Sequence, residues 1–444
     1  MLFKNILKND KIKSLIAESW TLSWPMTFIM LFEFIIGLSD VYVASRLGKE
    51  ILAAYGLAFQ LYFVFIFVGI AISIGSVSII SRLFSSGRKD EFSLAVSTSL
   101  GISCIAGIIF GIAGFALAAP VIRLFNIPDS LKTAAIPLLR IYSIGFLFDY
   151  ILINLNGILR SSGKIKSSLL AMTVACILNV ALNFILAFGT PLKFSGIAWA
   201  TVISLFVGAV IAAVYTKPLM QRWSGISIDM IKRIVSISWP SGVLQIVWQA
   251  GAVALFFILS ILPAYNVEVI AAFTNGLKIE SAIFLPAFAF NMAAAVIVGN
   301  LLGKNQKEDA FKGGIITALL GVCLVTIATL LIMLNARTVA SFLSTDKMVI
   351  NESIKYIYVA LICEPIMAWS VILGGGLNGA GDTKGVMIIT ALGVWLVRLP
   401  LAYVFGIYFG LGQTAVWWCM NASIIVQAIL ITKRYFARQW LVAA

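Results

Sequence analysis

The chain has 444 residues, of which 61% are apolar and 11% charged, with a formal net charge of +14. Soluble domains carry about 25% charged residues, so this composition excludes an ordinary soluble domain. Many apolar stretches exceed the roughly 20 residues with which a helix crosses the hydrocarbon core of a bilayer. The chain is therefore expected to be a polytopic α-helical membrane protein.

Twelve membrane spans follow from the hydropathy pattern, in chain order. Their expected ranges are 16–45, 51–81, 92–119, 133–159, 167–190, 194–216, 234–262, 269–302, 313–335, 350–378, 385–409 and 413–432. With the N-terminus inside, 21 of the 32 basic residues fall in cytoplasmic segments and seven in outer segments. Lys and Arg concentrate on the cytoplasmic side of membrane proteins. Both termini are therefore expected in the cytoplasm, and the net charge is attributed to these loops and not to a nucleic-acid partner.

The absence of histidine and the isolation of the cysteines limit the kinds of functional site that the chain can form. The sequence contains no histidine, which excludes histidine-based triads, zinc sites and imidazole proton switches. The five cysteines are scattered through apolar stretches and are interpreted as buried apolar residues, not as disulfides or metal ligands. Any proton binding inside the membrane must then use Asp or Glu. We expect no cofactor, no resident metal and no enzymatic activity.

An internal repeat organises the chain. Ser23–Pro25 returns as Ser238–Pro240, and Ala53–Tyr55 returns as Ala271–Phe273, at offsets of 215 and 218 residues. Each motif lies at an equivalent place in its half, which indicates two six-helix repeats of the same orientation, as in many secondary transporters. The predicted organisation is an N-terminal lobe over 1–216, a cytoplasmic linker over 217–233 and a C-terminal lobe over 234–444.

Further motifs appear in a fixed order along both halves. They are Trp24-Pro25 followed by Asp40, Ala53–Gly56, Gly276–Glu280, Glu364-Pro365, Leu377–Lys384 and Trp395–Tyr403. Together they resemble the multidrug and toxic compound extrusion (MATE) family of prokaryotes, with the DinF-like branch closest. The resemblance implies a V-shaped, two-lobe transporter of the bacterial inner or archaeal cell membrane. It also implies export of organic cations or other xenobiotics in exchange for protons or sodium. We expect a monomer surrounded by lipid.

Three positions differ from the family pattern. Ser161 stands where the loop after the fourth span has glycine, and Asn183 stands where one branch has an aspartate four residues after Asn179. Gln249 lies near the position of a carboxylate that some members carry in the seventh span. These differences leave the coupling ion open between a proton and sodium.

Asp40 is the predicted coupling acid. Buried acids inside spans are costly and often mark ion paths, although a purely structural carboxylate is the alternative. Counting from the outer span ends places Asn179, Asn183 and Thr201 at a similar depth. Their side chains are therefore expected to surround Asp40, or to form simple interhelical hydrogen bonds. Oxygen atoms of the same set also suit Na⁺.

Four further residues of the first half receive expected roles. Glu33 shares a helix face with Asp40 at a distance of about 10 Å along the axis, and is assigned either to coupling or to a structural pair. Asp149 is a third acid of this half, and Asn156 is added to the coupling set by family resemblance only. Pro25 removes a backbone hydrogen bond from the first span and is the predicted hinge.

The second half carries a different kind of charge. Lys278, Glu280, Glu364 and Arg398 all fall near the middle of predicted spans, so two acids and two bases can neutralise one another. Together with Gln249 they are expected to form either a structural ion-pair network or part of a substrate site. Coupling is therefore expected in the first half, where acids prevail.

Short motifs of the sequence argue against two other functions. The loop Ser81–Lys89 lacks the Asp–Arg pair that a major-facilitator transporter has between spans two and three. Gly379–Asp382 matches the short motif of membrane aspartyl proteases, but it lies in a predicted cytoplasmic loop without a second intramembrane partner. A lipid-linked oligosaccharide flippase of the same broad superfamily is the remaining alternative.

Overall fold

The computed structural model describes residues 10–220, 223–262, 266–344 and 346–441. Fifteen α-helices are assigned within these ranges. They are α1 Asp10–Leu47, α2 Lys49–Ser85, α3 Lys89–Arg123, α4 Asp129–Ser161, α5 Ile165–Phe188, α6 Ser195–Thr216, α7 Ile228–Ser260, α8 Asn266–Gly303, α9 Lys307–Leu334, α10 Ala336–Leu343, α11 Lys347–Ala360, α12 Glu364–Gly379, α13 Thr383–Ala391, α14 Leu399–Tyr403 and α15 Gly412–Phe436. Two π-helical segments, Leu392–Arg398 and Val404–Tyr408, continue α13 and α14.

Twelve helical stretches of the described chain are long and apolar enough to cross a membrane, which confirms the predicted number of spans and the all-α fold class. Helices α1 to α9 supply nine of them, and α11 with α12 supplies the tenth. The eleventh runs from α13 through α14 and the π-helical segments, and α15 is the twelfth. Several helices begin or end beyond the predicted limits because their terminal turns carry charged residues outside the apolar stretch.

The predicted cytoplasmic linker, 217–233, is only partly loop. It includes residues 221–222, which lie outside the described ranges. Its first residues form the short 3₁₀ turn Lys217–Leu219, and its last residues already belong to α7.

Two compact units make up the described chain, and their limits fall inside helices. One unit is Phe28–Gly242, and the other combines Met1–Thr27 with Val243–Ala444. In the second unit, the Ser19 hydroxyl lies 2.9 Å from the Thr317 hydroxyl in a buried hydrogen bond. The beginning of α1 therefore packs with the second half of the sequence. The predicted division of the sequence repeat at the linker stays a prediction, since contacts and repeats need not share a boundary.

The core of the unit Phe28–Gly242 is built around aromatic side chains of α2 and α4. Tyr62 stacks on Phe146 with ring centroids 4.7 Å apart, and Tyr142 and Tyr150 are fully buried beside them. The two helices approach closely where Gly157 of α4 faces α2. A Cβ at that position would lie 2.7 Å from the Ser73 hydroxyl, so glycine permits the approach. Small residues at such crossings are typical of membrane helices.

The other unit has a second aromatic core. Phe273 of α8 stacks on Trp417 of α15 with centroids 5.5 Å apart, and Tyr356 of α11 meets Trp417 edge-on at 4.7 Å. Gly375 of α12 lets that helix lie against the backbone of α8 at Asn291. The aromatic core and this close approach fix the side chains of α8, α11 and α12 that carry charge.

Candidate functional site

Asp40 lies seven residues before the end of α1 and is only 1% exposed. Its Oδ1 accepts a hydrogen bond from Asn183 Nδ2 at 2.6 Å, and its Oδ2 accepts one from Thr201 Oγ1 at 3.3 Å. The Tyr55 hydroxyl of α2 lies close to the same carboxylate. Four helices therefore contribute to the surroundings of one acid.

A further layer of hydrogen bonds supports these donors. Asn179 and Asn183 lie four residues apart on α5, so both point to one face of the helix. Asn183 Nδ2 also lies 3.1 Å from Asn179 Oδ1, and Asn179 Nδ2 donates to Thr201 Oγ1 at 3.2 Å. The structure thus brings Asp40, Asn179, Asn183 and Thr201 together as expected from their depths in the sequence.

The charge of Asp40 is met by neutral groups. Within the described ranges Asp40 forms no ion pair, and no group of three or more Asp, Glu, Cys or His side chains is arranged to hold a metal ion. Amide and hydroxyl donors stabilise the ionised carboxylate, but one of them must turn when the carboxyl becomes protonated and donates its single hydrogen. The site can therefore convert a protonation change into a change of contacts between α1, α5 and α6.

Glu33 and Asp149 form a second acidic region of the same unit. Glu33 lies at the surface of the described chain, within electrostatic range of Asp149 and of Arg160, and not in the hydrogen-bonded cluster of Asp40. Asp149 is buried and accepts a hydrogen bond of 2.8 Å from the Tyr62 hydroxyl. The sequence singles out Asp149 as an acid but not the tyrosines. Their signal is the seven-residue spacing of Tyr55 and Tyr62 on α2.

Asn156 does not belong to the Asp40 cluster. Its Oδ1 accepts a hydrogen bond of 2.8 Å from the Ser168 hydroxyl, which joins α4 to the beginning of α5. Ser168 and Asn183 are fifteen residues apart on one helix, which corresponds to about 22 Å along its axis. Asn156 therefore lies at a different depth from Asp40, and the structure does not place it in the Asp40 cluster.

Pro25 is buried inside α1, which runs without interruption from Asp10 to Leu47. The boundary between the two compact units follows two residues later, at Thr27 and Phe28. Pro240 has the equivalent place in α7, two residues before the boundary at Gly242. A missing backbone hydrogen bond therefore coincides with each point where the chain passes between units.

The charged residues of the second half form a smaller set than expected. Glu280 accepts a hydrogen bond from the Tyr356 hydroxyl, and Glu364 is 1% exposed. Arg398 lies within electrostatic range of both acids, yet within the described residues it forms no direct ion pair with either. Its Nε donates to the Ser423 hydroxyl at 2.9 Å. The cluster therefore holds two acids near one base.

Lys278 and Gln249 lie outside this set. Lys278 is exposed, because two residues along a helix correspond to about 200° and turn its side chain away from Glu280. The expected balance of two acids and two bases is therefore wrong for Lys278. Gln249 is half-buried on α7 and makes no side-chain hydrogen bond to the described residues. The neighbouring Trp248 instead lies under the Arg398 guanidinium, at 5.4 Å from the ring centroid.

Both halves of the sequence match one family model. The model MatE matches residues 25–185 and 240–404, so that each match begins at one of the Trp-Pro motifs. The chain belongs to the MATE family. It is 25% identical to the probable multidrug resistance protein NorM of Thermotoga maritima, over 99% of this chain and 96% of the relative.

Solved structures share the fold of this MATE transporter. A MOP superfamily transporter from Pyrococcus furiosus superposes with a TM-score of 0.88 at 22% identity, over 96% of this chain and 97% of the other. An outward-facing multidrug resistance MATE family transporter of the MOP superfamily gives the same TM-score, identity and coverage. As a member of the MATE family, the chain is a multi-pass membrane transporter and not an enzyme. The DinF-like branch stays a prediction.

Proposed function

We propose that this MATE transporter is a secondary active multidrug antiporter that exports cationic or amphiphilic organic compounds in exchange for protons. The observation that carries the proposal is the buried Asp40 carboxylate, which is held by neutral donors from α5 and α6. Support for the substrate class comes from the relative named as a multidrug resistance protein. The transporter acts in the plasma membrane as a monomer among lipids, with both termini in the cytoplasm.

Proton coupling is favoured over sodium by the atoms that face the carboxylate. A sodium site needs several oxygen ligands directed at one point. At Asp40 the shortest contact is instead an amide nitrogen, Asn183 Nδ2 at 2.6 Å, whose hydrogens occupy that side of Oδ1. The amide therefore substitutes for a bound cation, and a proton is the ion that this arrangement accommodates with the smallest rearrangement.

The mechanism follows from what protonation does to these hydrogen bonds. Entry of a proton from outside neutralises Asp40, and the one hydrogen that it adds reverses one of the two contacts, at Asn183 or at Thr201. The tie between the end of α1 and helices α5 and α6 becomes weaker, and α1 bends at Pro25, where one backbone hydrogen bond is missing. Bending displaces the exported compound outward. Release of the proton to the cytoplasm restores a carboxylate that attracts the next cation.

Efflux of a cationic dye from proteoliposomes tests the proposal. Wild type, Asp40→Asn and the control Asp129→Asn, which alters an exposed acid of α4, are compared under a pH gradient and then under a sodium gradient. We expect efflux under the pH gradient for wild type and the control, and none for Asp40→Asn. Efflux that requires sodium would contradict proton coupling. Absence of dye movement under both gradients would favour a lipid-linked oligosaccharide flippase.

The hinge has its own matched pair of variants. Pro25→Ala restores a backbone hydrogen bond in the helix that carries Asp40, whereas Pro240→Ala does the same in α7. We expect the first variant to slow coupled efflux more than the second. Equal rates for the two variants would remove Pro25 from the mechanism.

A further inference from the structure

The beginning of α1 runs alongside α9 in one direction and one register. The Lys11 Nζ atom lies 3.7 Å from Asp309 Oδ2, and about two turns later the Ser19 Oγ atom lies 2.9 Å from Thr317 Oγ1. The residues of both pairs are 298 positions apart in the sequence. Because the offset stays constant over these turns, the two helices are parallel and do not diverge between the two contacts.

A close packing contact lies between these two pairs. Leu15 is 5% exposed, and its Cδ2 atom lies 3.7 Å from the position that a Cβ of Gly313 would occupy. Gly313 follows Leu15 at the same offset, so that successive turns of α1 are matched by successive turns of α9. Small residues permit such close contacts between membrane helices. The packing is therefore continuous from Lys11 to Ser19.

The hydrogen bond between the two buried hydroxyls has a defined direction. Thr317 Oγ1 donates its one hydrogen to the Gly313 carbonyl of its own helix at 2.8 Å. Ser19 must therefore be the donor to Thr317. Both hydroxyl-bearing residues are 0% exposed, so water cannot readily replace either partner. Because a buried hydroxyl without a partner is unfavourable, this bond resists separation of α1 from α9.

The hydrogen bonds to α9 stop shortly before the proline of α1. At the same offset, the residue opposite Ser23 is Gly321, which has no side chain. The atoms nearest to a Cβ at that glycine belong to Ile372 of α12 and Phe290 of α8. The Ser23 hydroxyl is buried and makes no hydrogen bond to a described residue. The hydrogen-bonded register therefore ends next to Pro25, where the backbone also lacks a hydrogen bond.

The later part of α1 has its partners on a different helix. Asn183 Nδ2 of α5 donates to Asp40 Oδ1 at 2.6 Å, and the ring of Phe184 lies 6.0 Å from that of Tyr42. The boundary between the two compact units falls between the two parts of the helix. One continuous helix therefore has a first part held by α9 and a later part held by α5, with Pro25 between them.

The second half of the sequence repeats this arrangement. Helices α3 and α9 begin 218 residues apart, which is the offset of one of the repeated motifs, so α3 is the counterpart of α9. The backbone amides of Ser224 and Ser227, which lead into α7, donate to Ser97 Oγ and Thr98 Oγ1 of α3, each at 3.2 Å. In both halves, therefore, the start of the first helix is bound by the third helix of the other half.

We propose that the first part of α1, residues 10–24, is an anchor that α9 holds throughout the transport cycle, with Ser19 and Thr317 as its positioning residues. When Asp40 changes its protonation and α1 bends at Pro25, the anchor stays on α9. The whole displacement then falls on the later part of the helix, which carries Asp40. Without the anchor, movement of the first part would absorb the bend. This inference rests on the antiport cycle proposed above and identifies what holds the other end of the helix.

A disulfide between positions 19 and 317 tests whether the first part of α1 must stay on α9 or must leave it. Ser19→Cys/Thr317→Cys is made in a chain whose five native cysteines are replaced by alanine. Thiols are weak donors, so we expect the reduced form to transport dye about fivefold more slowly than the same background without the two substitutions. Oxidation should restore the rate.

Two other outcomes of this experiment contradict the proposal. A disulfide that stops efflux, with recovery on reduction, would show that the first part of α1 must move away from α9 during the cycle. Failure of the disulfide to form under oxidising conditions would contradict the register of the two helices. Restoration of the rate by oxidation separates a positioning role from a loss of folding, because the cross-link acts on one contact only.

Single substitutions on neighbouring turns of α1 provide the matched control. Ser19→Ala removes a hydroxyl that donates to α9, whereas Ser23→Ala removes an equally buried hydroxyl that makes no hydrogen bond to a described residue. We expect Ser19→Ala to lower the maximal efflux rate about fivefold at unchanged KM for the dye, because the anchor does not take part in dye binding. Ser23→Ala should transport at the wild-type rate.

The same assay separates failure of this inference from failure of the proposed function. Equal maximal rates for Ser19→Ala and Ser23→Ala, in a background where wild type responds to the pH gradient, would overturn the anchor and leave the antiport cycle intact. Wild type that moves dye only with sodium, or not at all, would instead refute the proposed function.

Discussion

The two halves of the sequence bury acids in opposite ways. In the unit Phe28–Gly242, Asp40 is held by an amide and a hydroxyl, and no cation pairs with it in the described chain. In the other unit, Glu280 and Glu364 share the field of Arg398. A charge that a neighbouring cation already balances gains little by binding a proton. A charge held by neutral donors changes its whole surroundings when a proton binds, which makes it suited to coupling.

The interactions that hold the acids also differ in strength between the two arrangements. The attraction between opposite charges is strong in a medium of low dielectric constant, so an arginine within electrostatic range of two acids favours their ionised forms. Neutral donors fix geometry through hydrogen bonds worth about 1.5–3 kcal/mol each when the acceptor is charged. That energy is within the range that a conformational change can supply and recover.

Neutralising one acid in each half tests most directly whether coupling belongs to the first half alone. We expect Glu280→Gln to retain efflux driven by a pH gradient, because Tyr356 can still donate to the amide oxygen that replaces the carboxylate. Asp40→Asn should lose that efflux completely. Both variants are assayed in proteoliposomes at equal protein density. Loss of coupling in a well-folded Glu280→Gln would show that the second half shares the coupling chemistry.

The stability of Arg398→Met tests whether this arginine balances the two acids of the second half. Removing the cation leaves Glu280 and Glu364 facing each other's charge and removes the hydrogen bond to Ser423. We expect a loss of about 1–3 kcal/mol in the free energy of unfolding, the cost of leaving buried polar groups without a partner. Denaturant unfolding in detergent micelles measures it. Lys278→Met is the control, since that exposed side chain should change stability by less than about 0.5 kcal/mol. Adding Glu364→Gln to Arg398→Met should restore part of the loss. Equal stability of Arg398→Met and wild type would mean that the arginine does not balance the acids.

Removal of the single amide donor of Asn183 is expected to affect transport less than neutralising Asp40. Asn183→Ala removes the amide that donates to Asp40, which costs about 1.5–3 kcal/mol of carboxylate stabilisation and should slow coupled efflux about tenfold or more. Asn156→Ala removes an amide of the same unit that binds Ser168 instead. That variant should keep its coupling. If both variants transport equally well, the contact at 2.6 Å is structural only.

The sequence predicts the spans and the Asp40 cluster for the same reason. Hydropathy fixes where each helix enters the membrane, so counting residues from span ends gives the depth of Asp40, Asn183 and Thr201. Depth alone does not give rotation about the helix axis, which is why it wrongly groups Lys278 with Glu280. The contacts of Tyr55 with Asp40 and of Tyr62 with Asp149 escape prediction, because a tyrosine in an apolar span resembles any other aromatic core residue until its neighbours are known.

The order in which the helices are synthesised differs from the order in which the two units can be completed. The beginning of α1 leaves the ribosome before the other described helices, yet its buried partner Thr317 lies on α9. About three hundred residues must be inserted before Ser19 can form that hydrogen bond. The unit Phe28–Gly242 is continuous and can assemble as soon as α7 has begun. The beginning of α1 therefore belongs to the unit that is completed later, and it must remain in the bilayer until the late helices are inserted.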